Sequence, residues 1–232
     1  MRIQRIVTGV AVVVAAALAF PSAGVADTPV KHDVDASAAA DRAAPSRHRI
    51  IADTGPRPAG LPSAAGDRGV IPPNLSADVS AALDGPFYIV NKGTGRCLDA
   101  HYNEGGGNGN RVGLWDCNGG ITEKWYVYNN GNTGNYWMKI INARSGRSLD
   151  YPASSGGANG WQYILWDYYP STGQQYWPFW RSDTSDYEIS VLLGGGANVM
   201  DAFASDGGGN GNRVGNWSIT YSPLQRWTFH SA

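Results

Sequence analysis

Between Phe87 and Ala232 the apolar and aromatic positions fall in short runs, such as "EKWYVY", "QYWPFW" and "QRWTFH", separated by clusters of Gly, Asn, Asp and Ser. No run keeps a helical period beyond one turn, so the pattern predicts strands and tight turns in an all-β domain. The runs also recur. "CLDA", "SLDY" and "VMDA" place Asp99, Asp150 and Asp201 at intervals of 51, and "GLWD", "ILWD" and "GNWS" place Trp115, Trp166 and Trp217 on the same interval. A last aromatic run in each unit carries Trp125, Trp177 and Trp227, in register to within a residue.

Between the Asp and Trp landmarks stands "GGGNGNRVG", at Gly105–Gly113 and again unchanged at Gly207–Gly215, with a degraded copy, "GGANGWQYI", at Gly156–Ile164. Gly and Asn tolerate positive φ, so the chain is expected to reverse there. Three units, about 87–136, 137–186 and 187–232, are each too short to close a core and should stack about a pseudo-threefold axis. Three blades are too few for a propeller.

Upstream the pattern changes. "MRIQRIVTGVAVVVAAALAF" has Arg2 and Arg5 before an apolar run, and Ala23–Ala26 suits cleavage, so 1–26 reads as a signal peptide. Residues 27–86 hold no Phe, Trp or Tyr. Such a segment buries too little apolar surface to offset chain entropy, and is expected to be a disordered linker or pro-segment. Within it, "NLSADVSAALDG" suggests a short helix with Ser76 as N-cap. Arg in excess of Lys and abundant Ala suggest a high-GC bacterial source, and export makes the mature protein extracellular. An oxidising compartment favours a Cys97–Cys117 disulfide over two free thiols. Closing a loop of about 20 residues, it would contribute roughly 3 kcal/mol.

A threefold repeat with "LD" near its start, "LWDC" in its middle and a terminal Gln-x-Trp resembles the ricin B-type lectin β-trefoil. The signature stands as "QYW" at Gln175–Trp177 and "QRW" at Gln225–Trp227, while the first unit departs with "EKW" at Glu123–Trp125. The resemblance spans essentially all of 87–232. It implies twelve strands in six hairpins, the Gln-x-Trp tryptophans in the core, and a disulfide within one repeat that fits Cys97 and Cys117.

A sugar presents hydroxyls at its rim and C–H groups on its faces, so a site for it needs an ionised carboxylate beside an aromatic ring. Each unit supplies the pair: Asp99 with Trp115, Asp150 with Trp166, Asp201 with Trp217. The resemblance implies the same roles, and each copy of the loop is expected to hold a shallow pocket. Asn118 is a further polar candidate beside the first, with Thr122 and His101 near it. Many family members carry Gln two residues before the stacking aromatic, where this chain has Gly113, Ile164 and Gly215. They also tend to carry Asn before the Gln of Gln-x-Trp, where Thr122, Gln174 and Leu224 stand. Asp150, Trp166 and Gln174 therefore make the most complete set, and the third unit the poorest.

Other chemistries find little support. The loop lacks the Gly-Lys-Ser/Thr of a phosphate loop. His101 and His230 are the domain's only histidines and no Gly-x-Ser-x-Gly elbow occurs, so neither a triad nor a His-based metal site is expected. Lys and Arg from 87 to 232 number 10 against 11 acids, which leaves no basic surplus for nucleic acid. The expectation is a monomeric, non-catalytic glycan- or polysaccharide-binding module without cofactor or metal, making no membrane contact after signal cleavage. The alternative is a protein-interaction trefoil, an inhibitor or coat component.

Overall fold

The computed structural model describes residues 50–62, 75–100, 105–129, 137–152, 158–169, 176–181, 184–191 and 198–232. The expected signal peptide lies outside these residues, as do His101 and Gln174. Six strands, β1 (Leu83–Asn91), β4 (Lys124–Asn129), β5 (Met138–Asn142), β8 (Tyr176–Arg181), β9 (Asp186–Val191) and β12 (Trp227–Ser231), pair antiparallel in succession, and β12 returns to β1. The closed ring leaves no unpaired edge. Three hairpins, β2 (Cys97–Asp99) with β3 (Gly113–Trp115), β6 (Ser148–Asp150) with β7 (Ile164–Trp166), and β10 (Asn198–Ala202) with β11 (Val214–Ser218), extend from β1, β5 and β9. This is the twelve-stranded β-trefoil that the family resemblance implied.

The glycine-rich loops join the units to one another. Gly109 N donates to Leu165 O at 2.9 Å, Gly160 N to Asn216 O at 2.9 Å, and Gly211 N to Leu114 O at 2.8 Å. Each donor lies 51 residues from the next, so the first loop binds the second hairpin, the second binds the third, and the third returns to the first. Side chains repeat the cycle. Asn108 bonds Asp167 and Arg147, Asn159 accepts from Ser218, and Asn210 bonds Asp116 and Arg96, at 2.7–3.1 Å. The loops are the clasps that close the cap. Their glycines at positive φ, such as Gly109 at 87° and Gly211 at 85°, turn the amides toward the neighbouring unit.

The core fills the barrel and the cap together. Trp125 and Trp227 are fully buried, and their indole N–H groups donate to Leu98 O and Met200 O, each at 2.9 Å. The residue 51 positions from each of them in the second unit is Tyr176, fully buried and paired with Met138; the burial of the Trp177 side chain, expected in the core, lies outside the described residues. A tyrosine is shorter than a tryptophan, and the space is made up locally: Tyr151 and Tyr163 pack on Tyr176 at 5.9 and 5.8 Å. The other units have Ala100 with Val112, and Ala202 with Val214, at those positions.

Two stretches of the segment expected to be disordered are structured. Helix α1 (Ala77–Ala81) begins at the expected cap, where the Ser76 side chain accepts from Val79 N at 3.4 Å. Leu75 and Val79 pack on Tyr126 and Ile141, so aliphatic residues alone supply enough contact to dock it. Residues 50–62 form a strap along the barrel, from Phe229 at Asp53 to the Cys97–Cys117 disulfide at Leu61. Ile50 and Ala52 meet the core cluster of Phe87, Tyr187 and Phe229. Asp53 N donates to Phe229 O at 2.8 Å, the Asp53 carboxylate accepts from the Ser231 backbone and hydroxyl, and Arg57 donates to Ser231 O at 2.9 Å.

Candidate functional site

Hairpin register decides how the three Asp/Trp pairs are placed. Asp99 stands opposite Gly113 and Cys97 opposite Trp115; Asp201 stands opposite Gly215 and Val199 opposite Trp217. Residues directly opposed, and those two apart, share one face of a sheet, so the acid and the indole are diagonal neighbours. The residue between them is the one facing the acid. In the first and third units it is glycine; in the second it is Ile164, which brings a side chain to the position where the others have none.

The third unit is the open one. Trp217 is 41% exposed, and a cavity of about 330 Å³ beside it is lined by Asp201, Phe203, Arg213 and Leu224, with Gly160 of the second unit forming one wall. Burial raises the Asp201 carboxyl above the ordinary aspartate value, against a hydrogen bond from Gln225 that lowers it. Phe203 meets Trp217 edge-on, with centroids 5.9 Å apart and planes at 66°. It fits because Gly215 has no side chain: a Cβ there would lie 2.6 Å from the ring and 2.0 Å from Trp161 O. The Arg213 guanidinium caps the ring at 5.3 Å and is held by Asp206 through two bonds of 2.9 Å. Those bonds hold the Asp206 carboxyl well below the usual range.

In the first unit Trp115 is equally open, 40% exposed, and Asp99, as buried as Asp201, accepts from Thr122 Oγ1 at 3.0 Å. Asn118 is exposed, with its Oδ1 turned back on Gly120 N at 2.8 Å. Behind it lies Glu123, where the signature has Gln. Its buried carboxyl accepts from Asn118 N and Gly119 N, both at 3.0 Å. Burial pushes it up to about 7, against those amides, with Asp99 adding to the rise. Gln225 does the same task as a neutral amide, accepting from Thr220 N at 2.7 Å and donating to Ser218 O at 3.0 Å. The Cys97–Cys117 disulfide, with Cα atoms 5.1 Å apart, ties the start of β2 to the residue that precedes Asn118.

The second unit, the most complete on sequence, is the most encumbered. Trp166 and Asp150 are half-buried. Lys139 is fully buried beside them, donating to Tyr169 O and lying 5.2 Å from the Tyr168 ring centre. Burial lowers its ammonium to about 8, and the charge of Asp150 works the other way. Glu123, Gln174 and Gln225 are 51 apart, so exact periodicity sets Gln174 level with the two residues that hold loops. Sequence reasoning missed Phe203, Arg213 and Lys139. Phe203 was visible as an aromatic where the period gives His101 and Pro152, a break in the threefold pattern beside the acid. Among the described residues no three His, Cys, Asp or Glu side chains gather as a metal ion would require.

Residues 78–166 match the family model described as "Ricin-type beta-trefoil lectin domain-like". Among solved structures, a designed 3-fold symmetric protein, ThreeFoil, superposes with a TM-score of 0.56 at 22% identity, covering 64% of this chain and 100% of that one. The Rhizoctonia solani agglutinin gives 0.52 at 18% identity, covering 64% and 95%. The Macrolepiota procera ricin B-like lectin, solved with lactose, gives 0.52 at 14% identity, covering 63% and 94%. At these identities the likeness is one of fold. No curated protein matches the chain.

Proposed function

We propose that this domain, a β-trefoil of the ricin-type lectin-like family, is a non-catalytic carbohydrate-binding module that works outside the cell, with the third-unit pocket as its principal site. The observation that carries the reading is the Asp201–Trp217 pair, set on one hairpin face across Gly215 and opening on a cavity of about 330 Å³. That volume is at the small end of ligand pockets, roughly 300–1,000 Å³, and suits one or two sugar rings. Asp201 accepts from two ring hydroxyls while Trp217 lies along the C–H face. The lactose in the Macrolepiota procera relative supports the class of ligand. Export is supported by the apolar start of the chain and by the Cys97–Cys117 disulfide.

The first and second units contribute less, because Thr122 bonds Asp99 and because Lys139 and Ile164 crowd Asp150. The module therefore takes one strong ligand per chain, with affinity near millimolar, about 4 kcal/mol, for a single sugar. The direct test is a panel of mono- and polysaccharides, including xylan, galactan and arabinan, followed by indole fluorescence and pull-down. A ligand that shifts the emission of the wild type and leaves Trp217→Ala silent supports the proposal. A folded protein that binds nothing on the panel refutes it.

A protein-interaction role is favoured by one observation: Ile219 and Tyr221, 38% and 62% exposed, flank Thr220 on the pocket rim. Under that reading Tyr221→Ser abolishes partner binding and sugars do not compete.

A further inference from the structure

The three clasps over the cap are not alike. Each turns on an asparagine followed by glycine: Asn108–Gly109, Asn159–Gly160 and Asn210–Gly211. The glycine N–H is held about equally in all three, by Leu165 O at 2.9 Å, Asn216 O at 2.9 Å and Leu114 O at 2.8 Å. The asparagine side chain is not. Asn108 is held at both ends, its Nδ2 donating to Asp167 at 2.8 Å and its Oδ1 accepting from Arg147 at 2.9 Å. Asn210 is held likewise, by Asp116 at 2.9 Å and Arg96 at 3.1 Å. At the third clasp the period replaces that acid and that arginine with Ser218 and Asn198. Asn159 is exposed; its Oδ1 accepts from Ser218 N at 2.8 Å and Ser218 Oγ at 3.1 Å, and among the described residues nothing accepts from its Nδ2.

Glycine lacks the side chain that would hinder its amide nitrogen from reaching the preceding carboxamide, so an exposed Asn-Gly step is a chemical site. We infer that Asn159 is a modification site, which loses its amide through a succinimide with Gly160 to give aspartate and isoaspartate, and that the isoaspartate remodels one wall of the third pocket. Gly160 N gives up its bond to Asn216 O, loses its proton to hydroxide and bonds Asn159 Cγ. The negative charge collects on Oδ1, where the two Ser218 donors receive it as an oxyanion site would. The Cγ–Nδ2 bond then breaks, and Nδ2 leaves as ammonia with a proton from water. Water opens the ring, at one carbonyl to aspartate and at the other to isoaspartate; nothing is oxidised or reduced.

At Asn108 and Asn210 the leaving nitrogen is bonded to a carboxylate, which also repels the charge gathering on the carboxamide. The arginine at the other end is paired with that same acid at 3.1 Å, so its charge is already compensated. A product carboxylate there would face Asp167 or Asp116, whereas at 159 it keeps both Ser218 donors. Asn118–Gly119 is the remaining step of this kind among the described residues, and its glycine N–H is bonded to the Glu123 carboxyl at 3.0 Å. Isoaspartate adds one carbon to the main chain just before Gly160, which lines the pocket and whose Cβ position would lie 3.6 Å from the Trp217 ring. Resting on the carbohydrate reading, that shift weakens sugar binding.

The test is peptide mapping of the full chain after incubation in mildly alkaline buffer, with isoaspartate identified by fragmentation. Conversion at Asn159 is expected to be about tenfold faster or more than at Asn108 and Asn210, because charge-assisted bonds hold both of those side chains. Asn159→Asp should keep the wild-type melting temperature, while Asn108→Asp and Asn210→Asp melt lower. Aged protein should bind the mono- and polysaccharides of the panel more weakly than fresh protein, and Asn159→Ser aged alike should not weaken. Equal conversion at the three steps overturns the inference, as does faster conversion at Asn108 or Asn210, or none at Asn159 while an unfolded digest of the same chain converts. Unchanged sugar affinity after conversion overturns the remodelling of the pocket. Conversion at Asn159 in a chain that binds no sugar, fresh or aged, overturns the carbohydrate function and leaves the modification site standing.

Discussion

Thr122 Oγ1 donates to Asp99 Oδ2 at 3.0 Å, whereas the residue at the same place in the third unit is Leu224, a wall of the open cavity. Both acids are buried and both are held from within, Asp99 by that hydroxyl and Asp201 by Gln225, but only Asp201 also lines the open cavity. The sites should rank accordingly. Asp201→Ala and Trp217→Ala are each expected to weaken sugar binding by tenfold or more, as loss of charge-assisted bonds worth about 1.5–3 kcal/mol implies. The same changes at Asp99, Trp115, Asp150 and Trp166 should matter far less. Calorimetry showing the larger loss at Asp150 and Trp166 would reverse the assignment.

Acidification should release the ligand early. Asp201 must be ionised to accept two hydroxyls, and burial raises its carboxyl above the ordinary aspartate value. Binding is therefore lost as pH falls through that raised value, sooner than for an exposed aspartate. Affinity measured in steps from neutral pH downward checks this, with Asp201→Asn as the variant whose weak residual binding stays flat.

Glu123 gives stability the opposite slope. Its folded-state carboxyl is raised to about 7 from 4.5, chiefly by burial, so folding favours the protonated form and loses stability as pH rises between those values. Glu123→Gln restores the neutral amide that Gln225 shows to be compatible with the site. The variant is expected to melt higher than wild type at pH 8 and about equally at pH 4. A wild type whose melting temperature climbs from pH 4.5 to 7 relative to the variant would contradict this.

The cap clasps should be cumulative. Asn210→Ala removes bonds that reach Asp116 and Arg96, at a cost of about 1 kcal/mol each at most, since the groups are partly exposed. Asn108→Ala and Asn159→Ala should cost similar amounts. The clasps join different pairs of units, so the double variant should show near-additive losses in urea unfolding.

Replacing Cys97 and Cys117 by Ser is expected to cost roughly 3 kcal/mol for a loop of about 20 residues. Urea unfolding with and without reductant measures it, and the Ser variant should be indifferent to reductant. The strap offers a parallel test: Asp53→Ala should expose residues 50–62 to proteolysis before the barrel is cut, because that carboxylate fastens them to Ser231.

Period, strand pattern and landmarks were legible without coordinates, because each is a local constraint: alternation sets the strands, Gly and Asn set the reversals, and an interval of 51 repeated at Asp and Trp leaves little freedom in how the units stack. That the duplicated loop also joins the units was not legible. Its amides bond hairpins 51 or more residues away in the chain, and only closure of the ring brings those together.

The choice among the three candidate sites was also tertiary. On sequence, Asp150 with Trp166 had the better neighbours; in the fold, Ile164 stands opposite Asp150 and Lys139 is buried within reach of its charge, while Gly215 lets Phe203 lie beside Trp217. Sequence determined that three acids would each stand near an indole. Whether an acid is left to face a ligand depends on which side chains other strands deliver to it, and that is settled only when the barrel closes.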